Sequence, residues 1–415
     1  MRKRAETASV NLCAMPPGSQ RIFNRTFLIL SAATFCFFIA TSVLVPVLPR
    51  HVEDLGGSLA VVGLVNGIMW VPAIILRPFV GRHMDRRGRR PFILIGTIIS
   101  VAAGVGYAVS DSITVIFIIR LFHGASFACY YPSSTTMVAD VLPASRRAEA
   151  FSYFSMFLFA GLALGPAIGE HLYQASGADA AFIAGAVASA AAMLLVSRLP
   201  ETFRGEEPEA KAPLLHRAAA FPALILGLVA LGAAAADAFL PLYVSKFGDG
   251  DSRLYFTTFA VTIIAVRFFT GRIADRFGRG AIIVPGAFLS AAAMFVLAGG
   301  ADPAHILSAA VLRGIGWGAL FPGLFAMLMD RIRPGERGSA TGTFTAAFDL
   351  SFGGGQILLG AILQATSFDT IFVIGGISGI AGGLVWIVWK KRSEERFPPL
   401  DEVIYPADGA ASASS

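Results

Sequence analysis

Charge is scarce in this 415-residue chain: Asp, Glu, Lys and Arg together make up 14% of it. Soluble domains carry about 25%, so an ordinary water-bathed surface is excluded. Cysteine is nearly absent too. Cys13, Cys36 and Cys129 are scattered without ligand or pairing spacing, which excludes a disulfide framework and a thiolate metal centre. There is no G-x-x-x-x-G-K-[ST] segment, so no loop is present to cradle the phosphates of ATP. No metal-ligand cluster and no nucleophile–base set stands out. The expectation is a chain that is not an enzyme, needs no cofactor and holds no metal.

What fills the sequence instead is apolar: 55% of residues are hydrophobic, gathered into stretches of the length a bilayer core demands, roughly 20 residues. Hydropathy places twelve spans at about 26–48, 59–80, 91–110, 113–139, 148–172, 178–198, 219–244, 254–272, 281–299, 304–330, 338–365 and 369–389. The one long polar break, "RLPETFRGEEPEAKAPLLHR" at 198–217, divides them six and six. The expected organisation is a cytoplasmic leader (1–25), an N-terminal six-helix bundle (26–198), a cytoplasmic linker (199–218), a C-terminal bundle (219–390) and a disordered tail (391–415).

Where the scarce charges fall fixes an orientation. Of the 33 Lys and Arg residues, 26 lie on the side of the N-terminus and 3 (Arg50, Lys246, Arg253) in loops on the other. Four more, Arg77, Arg120, Arg267 and Arg313, fall within or at the ends of spans. The positive-inside rule then puts both termini in the cytoplasm of a cell whose cytoplasmic membrane the chain crosses. The net charge of +6 is thereby explained by topology, and no nucleic-acid partner is implied.

Shifted by 190 positions, the chain falls onto itself. "GRHMDRRGRRP" (81–91) meets "GRIADRFGRG" (271–280), so Arg77, Gly81, Arg82, Asp85, Arg86, Gly88 and Arg89 land on Arg267, Gly271, Arg272, Asp275, Arg276, Gly278 and Arg279. Further on, Gly124 meets Gly314, Pro132 meets Pro322 and Asp140 meets Asp330. Repeated halves of six spans are the mark of transporters that alternate access around a midplane site.

With these residues in view, the G-x-x-x-D-R-x-G-R-R loop resembles the signature of the major facilitator superfamily. "RLFHG" (Arg120 to Gly124) resembles its span-four arginine motif. "GLALGPAIG" (Gly161 to Gly169) resembles the span-five motif of proton-coupled exporters, and "LVPVLP" (Leu44 to Pro49) a pattern of twelve-span drug:proton antiporters. The resemblance covers about residues 26 to 390. It implies an all-α membrane fold of two six-helix halves related by a pseudo-twofold axis. It also implies that Asp85 faces the N-terminus of span eleven and that Arg89 pairs with Asp140. Gly81, Asp85, Arg86, Gly88, Arg89 and Asp140, with Asp275, Arg279 and Asp330 in the second copy, are therefore expected to form a conformational latch.

Chemistry is expected where the repeat fails. Ionisable groups inside a span need a reason, and Arg120, Asp237 and Asp349 have Ala310, Val47 and Phe159 as repeat mates. Asp237 and Asp349 are the expected proton carriers, Asp237 foremost, because spans five and eleven commonly support the cavity-lining ones. Arg120 and His123, three apart on span four, are read as one cationic face. Arg313, Tyr130 and Trp317 complete the expected substrate contacts. Gly161, Gly165 and Gly169, with Pro166 among them, form a close-packing ladder able to bend; packing and gating both explain it. Glu170 reads as a solvated residue at the outer mouth. Few Asn or Gln accompany these groups (Asn66 alone in the first three spans), so an amphiphilic substrate fits better than a sugar. The expected function is a proton-coupled antiporter that exports a small organic compound as a monomer. An importer or uniporter of the same fold is the alternative, and a non-transporting receptor is disfavoured.

Overall fold

The computed structural model describes residues 22–141, 147–202, 215–248, 251–332 and 336–396. The leader up to residue 21, linker residues 203–214 and the tail from 397 lie outside the described residues. Twelve helical segments are long and apolar enough to cross a membrane, and no strand occurs among the described residues.

Span one is two helices, Arg25–Ser42 and Leu44–Asp54, and span two likewise, Leu59–Ile68 and Trp70–Arg87. The other spans are Arg90–Ala108, Ile113–Asp140, Arg147–Ser176, Ala178–Ser197, Ala220–Phe247, Arg253–Phe277, Gly280–Gly299, Pro303–Asp330, Arg337–Ala365 and Phe368–Arg396. Asn24, Ser58 and Asp302 cap their helices by accepting from backbone N–H groups two or three residues on. Gly88 and Gly278 close the second and eighth spans at φ +98° and +82°, a left-handed conformation that only glycine adopts freely. Their repeat positions explain why the two loops turn alike.

Hydropathy ends span one too soon. The helix runs through Arg50 to Asp54, because Arg50 is not a loop residue in water but a buried one with a buried partner. The breaks in spans one and two also have a cause. A side chain at Gly169 would run into the backbone of Val43, and one at Gly124 into that of Met69. Neighbouring helices press on the chain at the two positions where the helix is interrupted.

Packing of the apolar residues shows how the halves meet. One core cluster lies wholly within spans one to six, built around Phe27, Phe37, Tyr130 and Phe154. A second lies wholly in the later half, around Leu226, Ile283, Leu320 and Phe344. The third draws from both halves, with Val47, Val65 and Phe182 beside Phe239, Tyr255 and Leu363. The first two clusters sit toward the arginine-rich loops and the third toward the opposite face. The halves are thus fused on one face and parted on the other. The structure is a two-half shell whose apolar closure lies away from the arginine-rich loops.

Candidate functional site

Between the halves lies a cavity of about 210 Å³. Its walls come from spans one, two, four, five, seven, eight, ten and eleven, and among the described residues spans three, six, nine and twelve contribute nothing to them. The expectation that spans five and eleven merely support their neighbours is corrected here. Leu158, Phe159 and Pro166 from span five and Phe348, Asp349 and Gln356 from span eleven all line the cavity.

Aromatic and aliphatic side chains form most of the wall, and the charges are few and paired. Asp237 on span seven meets Arg313 on span ten, Oδ1 to Nη1 2.6 Å. Arg313 also donates to the Tyr255 hydroxyl at 3.0 Å and lies over the Phe259 ring, 4.8 Å from its centroid. This cluster belongs entirely to the second half. Asp349 is different: its partner is Arg77 of span two, Nη1 2.5 Å from Oδ2, so the ion pair bridges the halves. The approach is close without the alignment of a hydrogen bond. Arg77 also donates to Thr345 Oγ1 at 3.4 Å.

Arg77 was legible only as an arginine at a span end whose repeat mate is another arginine. Its pairing needed the third dimension, since span two and span eleven are far apart in sequence. Of the two cavity arginines read from sequence, Arg313 pairs with Asp237, whereas Arg120 touches neither acid. Arg120 instead donates from Nε to the Val65 carbonyl (3.1 Å) and from Nη2 to the Asn66 carbonyl (2.9 Å). The interruption at Met69, whose N–H bonds the Gly67 carbonyl, frees a carbonyl of the preceding turn from its usual helical donor, and the guanidinium binds there while lining the cavity.

Two expected substrate contacts are corrected. His123 does not share the face of Arg120 toward the cavity; its Nδ1 lies 3.3 Å from the Tyr107 hydroxyl of span three. Three residues along a helix turn the side chain by some 60°, enough to carry His123 into the bundle. Tyr130 stacks on Phe37 at 3.8 Å and meets the Thr34 hydroxyl at 3.1 Å inside the first half. The next residue, Tyr131, lines the cavity in its place, and Trp317 lies there as expected.

The glycine ladder packs within one half. Gly161, Gly165 and Gly169 face span one, where an added Cβ would meet Phe35, Ser42 and Val43 backbone or side-chain atoms. Ser42 Oγ donates to the Gly161 carbonyl at 3.0 Å. The surface between the halves lies elsewhere. Of the loop signature, Arg89 Nε lies 3.1 Å from Asp140 Oδ2 and Arg279 Nε 3.2 Å from Asp330 Oδ2. Arg89 and Arg90 also donate backbone N–H groups to Glu201, which caps span three. All these contacts stay inside a half. Arg86 is exposed, and nothing approaches the position where a Cβ on Gly81 would stand. The side chains of Asp85 and Asp275 lie outside the described residues.

On the opposite face the halves are clasped. Glu170, expected in water, is fully buried and takes Arg50 Nη1 with both carboxylate oxygens at 2.8 Å. Arg50 reaches across to the Pro241 carbonyl (3.2 Å) and Ser252 Oγ (3.3 Å), and the Ser252 N–H donates to Glu170 at 3.1 Å. Lys246 and Glu53 add a second bridge at 2.5 Å. Span five thus carries a carboxylate at its end away from the arginine-rich loops because an arginine of span one is buried beside it.

A sequence profile of the Major Facilitator Superfamily matches residues 30–250 and 223–405. The Quinolone resistance protein NorA of Staphylococcus aureus (strain COL) is 22% identical over 89% of this chain and 97% of its own. The same protein from strain MRSA252 is 27% identical, over 54% of this chain and 59% of that relative. The Staphylopine export protein of S. aureus (strain Mu50 / ATCC 700699) is 25% identical over 85% and 92%. Among solved structures, the human organic anion transporter MFSD10 (TETRAN) superposes with a TM-score of 0.69 at 18% identity, covering 89% of this chain and 99% of that one. A POT family transporter in complex with 5-aminolevulinic acid gives 0.73 at 12%, covering 91% and 99%. Twelve membrane-crossing helices, two repeated halves and a shared central cavity agree with the profile: the chain belongs to the major facilitator superfamily.

Proposed function

We propose that this transporter exports small amphiphilic organic compounds in exchange for protons. The observation that carries the reading is the placement of Asp237 and Asp349. Both face one cavity, each held by a different arginine, one pair within a half and one between halves. A proton arriving at Asp349 removes the charge that ties span eleven to span two, so the halves are freed to rock. A proton at Asp237 releases Arg313 toward the cavity, and substrate leaving the site restores the pair. Proton binding and movement of the halves are thereby one event, which is what exchange requires.

With the arginine-rich loops and both termini in the cytoplasm, the parted face is the cytoplasmic one and the clasped face the external one. Substrate enters from inside, and protons entering from outside supply about 2.3 kcal/mol per charge for each 100 mV of membrane potential. Alternating access then breaks the Arg50–Glu170 clasp and brings the two loop signatures toward the opposite halves, where Asp85 and the open space above Gly81 act as a latch. The aromatic wall suits an apolar body, and Arg120 offers a cation to a polar end. The named roles of the quinolone-resistance and staphylopine-export relatives support export. A single chain encloses the whole cavity, in keeping with action as a monomer in the cell membrane.

The test uses protein in liposomes with an internal pH dye. Amphiphilic and zwitterionic compounds are added singly to wild type and to Asp237→Asn. Substrate-driven proton movement that disappears in the variant is expected. Substrate movement without protons, unchanged in the variant, removes the exchange mechanism and leaves facilitated diffusion.

A further inference from the structure

The cavity continues toward the arginine-rich loops as a vestibule of about 460 Å³ between spans five, eight and ten. Met156, Ile264, Phe268, Phe321 and Phe325 make its walls apolar, and no acidic residue lines it among the described residues. Two arginines do. Arg279 is paired with Asp330. Arg267 is not paired: its guanidinium lies over the Phe159 ring, 3.6 Å from the centroid, and its Nε and Nη2 are out of solvent contact with no acceptor.

The repeat makes this arrangement a departure rather than an accident of one rotamer. Arg267 is the mate of Arg77, and Phe159 is the mate of Asp349. On one crossing the arginine finds a carboxylate from the other half; on its counterpart the arginine finds a ring. A ring face attracts a cation but leaves the N–H donors unsatisfied. Guanidinium donors withdrawn from water at membrane depth call for an anion, and the described residues supply none. The donors form a planar fork suited to a carboxylate, and the surroundings suit an apolar body.

We propose that Arg267 and Phe159 form an entry subsite for the carboxylate of an amphiphilic organic anion, reached through the vestibule before the central cavity. The carboxylate takes the place that Asp349 occupies toward Arg77, while the apolar body lies along Phe268 and Phe321. This inference rests on the exporter reading for its direction of travel, but the binding itself does not.

The probe is radiolabelled 2-naphthoate, with methyl 2-naphthoate as its uncharged match, in equilibrium binding to the purified full-length protein without any gradient. Wild type is expected to hold the acid at least tenfold more tightly than the ester. Arg267→Gln should weaken the acid by roughly tenfold to a hundredfold, the range of one charge-assisted hydrogen-bonded contact, and leave the ester unchanged. Arg267→Lys should restore part of the loss. Phe159→Asp should remove the preference for the acid by giving Arg267 a carboxylate of its own, with ester binding and gel-filtration profile reporting an intact fold. Equal binding of acid and ester by wild type overturns the proposal, as does a preference that survives Arg267→Gln. Displacement of naphthoate by an equal concentration of phosphatidylglycerol assigns the cation to a lipid headgroup and overturns it too. Because no proton or transport enters this assay, failure of the liposome experiment with Asp237→Asn leaves the subsite standing, and the reverse also holds.

Discussion

Spans two and eleven cross between the halves on one side of the molecule, and spans eight and five cross on the other. The repeat relates these crossings, yet they are held by different chemistry. At the first, Gly63 and Gly360 bring two backbones together, an added Cβ on either falling within 3 Å of the other's Cα. Deeper in, Arg77 and Asp349 make an ion pair. At the second crossing the mate of Gly360 is Glu170, and a buried carboxylate–arginine clasp replaces the glycine contact. Deeper in, Arg267 faces a phenylalanine. Each crossing therefore has one ion pair, the clasp at the end away from the arginine-rich loops and Arg77–Asp349 in the wall of the central cavity. Closing the clasped face depends on charge at one crossing and on backbone proximity at the other, and among the described residues Arg267 is left facing a ring where its mate has a carboxylate.

The largest expected effect comes from the clasp. Glu170→Ala leaves the Arg50 guanidinium buried without its carboxylate, and breaking such a pair costs about 3–5 kcal/mol. A marked fall in apparent Tm is expected, with the external face opening more often as read by labelling of a cysteine placed there. The double variant Arg50→Met with Glu170→Leu should recover most of the loss, since apolar replacement of a buried pair is often neutral. If the double variant is as unstable as the single one, the clasp acts through packing and the contrast between the crossings is not one of charge.

Next is the inner ion pair. Arg77→Gln strands Asp349 and is expected to cost about 2–3 kcal/mol, less than the clasp because the carboxyl can be neutralised by a proton. Asp349→Asn added to it should restore part of that stability, a coupling that a double-mutant cycle measures. The mate substitution Arg267→Gln removes no partner and should be neutral or stabilising by thermal unfolding. Equal destabilisation by the two would abolish the distinction between a paired and an unpaired arginine.

How much of this could be read beforehand follows from the range of each signal. Twelve spans, their orientation and the repeat are local or periodic properties, so hydropathy, charge placement and a fixed offset expose them. Asp237, Asp349, Arg120, Arg313 and Trp317 were found because an ionisable or polar-tipped group in an apolar stretch is conspicuous by itself. Partners were not legible: Arg77 meets Asp349 and Arg50 meets Glu170 across 272 and 120 positions of chain. Burial of a charged residue depends on that partner, which is why Glu170 was misplaced into water and Arg50 into a loop. Side-chain direction within one helical turn was equally out of reach. It separates His123 from Arg120, and Tyr130 from the cavity that Tyr131 faces.

The glycine contact gives a smaller effect. Gly360→Ala places a methyl 2.8 Å from the Gly63 Cα, and overpacking of this kind costs about 1–3 kcal/mol. This structure has the contact together with the closed clasp, so a contact that opens with the clasp puts the cost on the closed conformation. External labelling should rise while the apparent Tm changes less than in Glu170→Ala. Unchanged labelling would mean that the backbones stay together when the halves rock, making this crossing a pivot instead of a seal.

The smallest effect lies at the edge of the clasp, in the turn that leads into span eight. Asp251 accepts from the Arg253 N–H at 2.8 Å and from its Nε at 2.6 Å. Partial burial pushes its carboxyl up, but the bonds from Arg253, with Arg50 nearby, outweigh this and hold it below the ordinary carboxylate value. A depressed carboxylate contributes stability that is complete above its unfolded value, roughly pH 4, and is lost as pH falls through the folded one. Because the pair is solvent-screened, its contribution is small. Wild type and Asp251→Asn should therefore differ in apparent Tm by about one or two degrees at neutral pH and converge as the medium is acidified below roughly pH 4. A difference that persists at low pH would show that Asp251 supports Ser252 through its turn geometry, making the approach to the clasp a matter of backbone shape and not of charge.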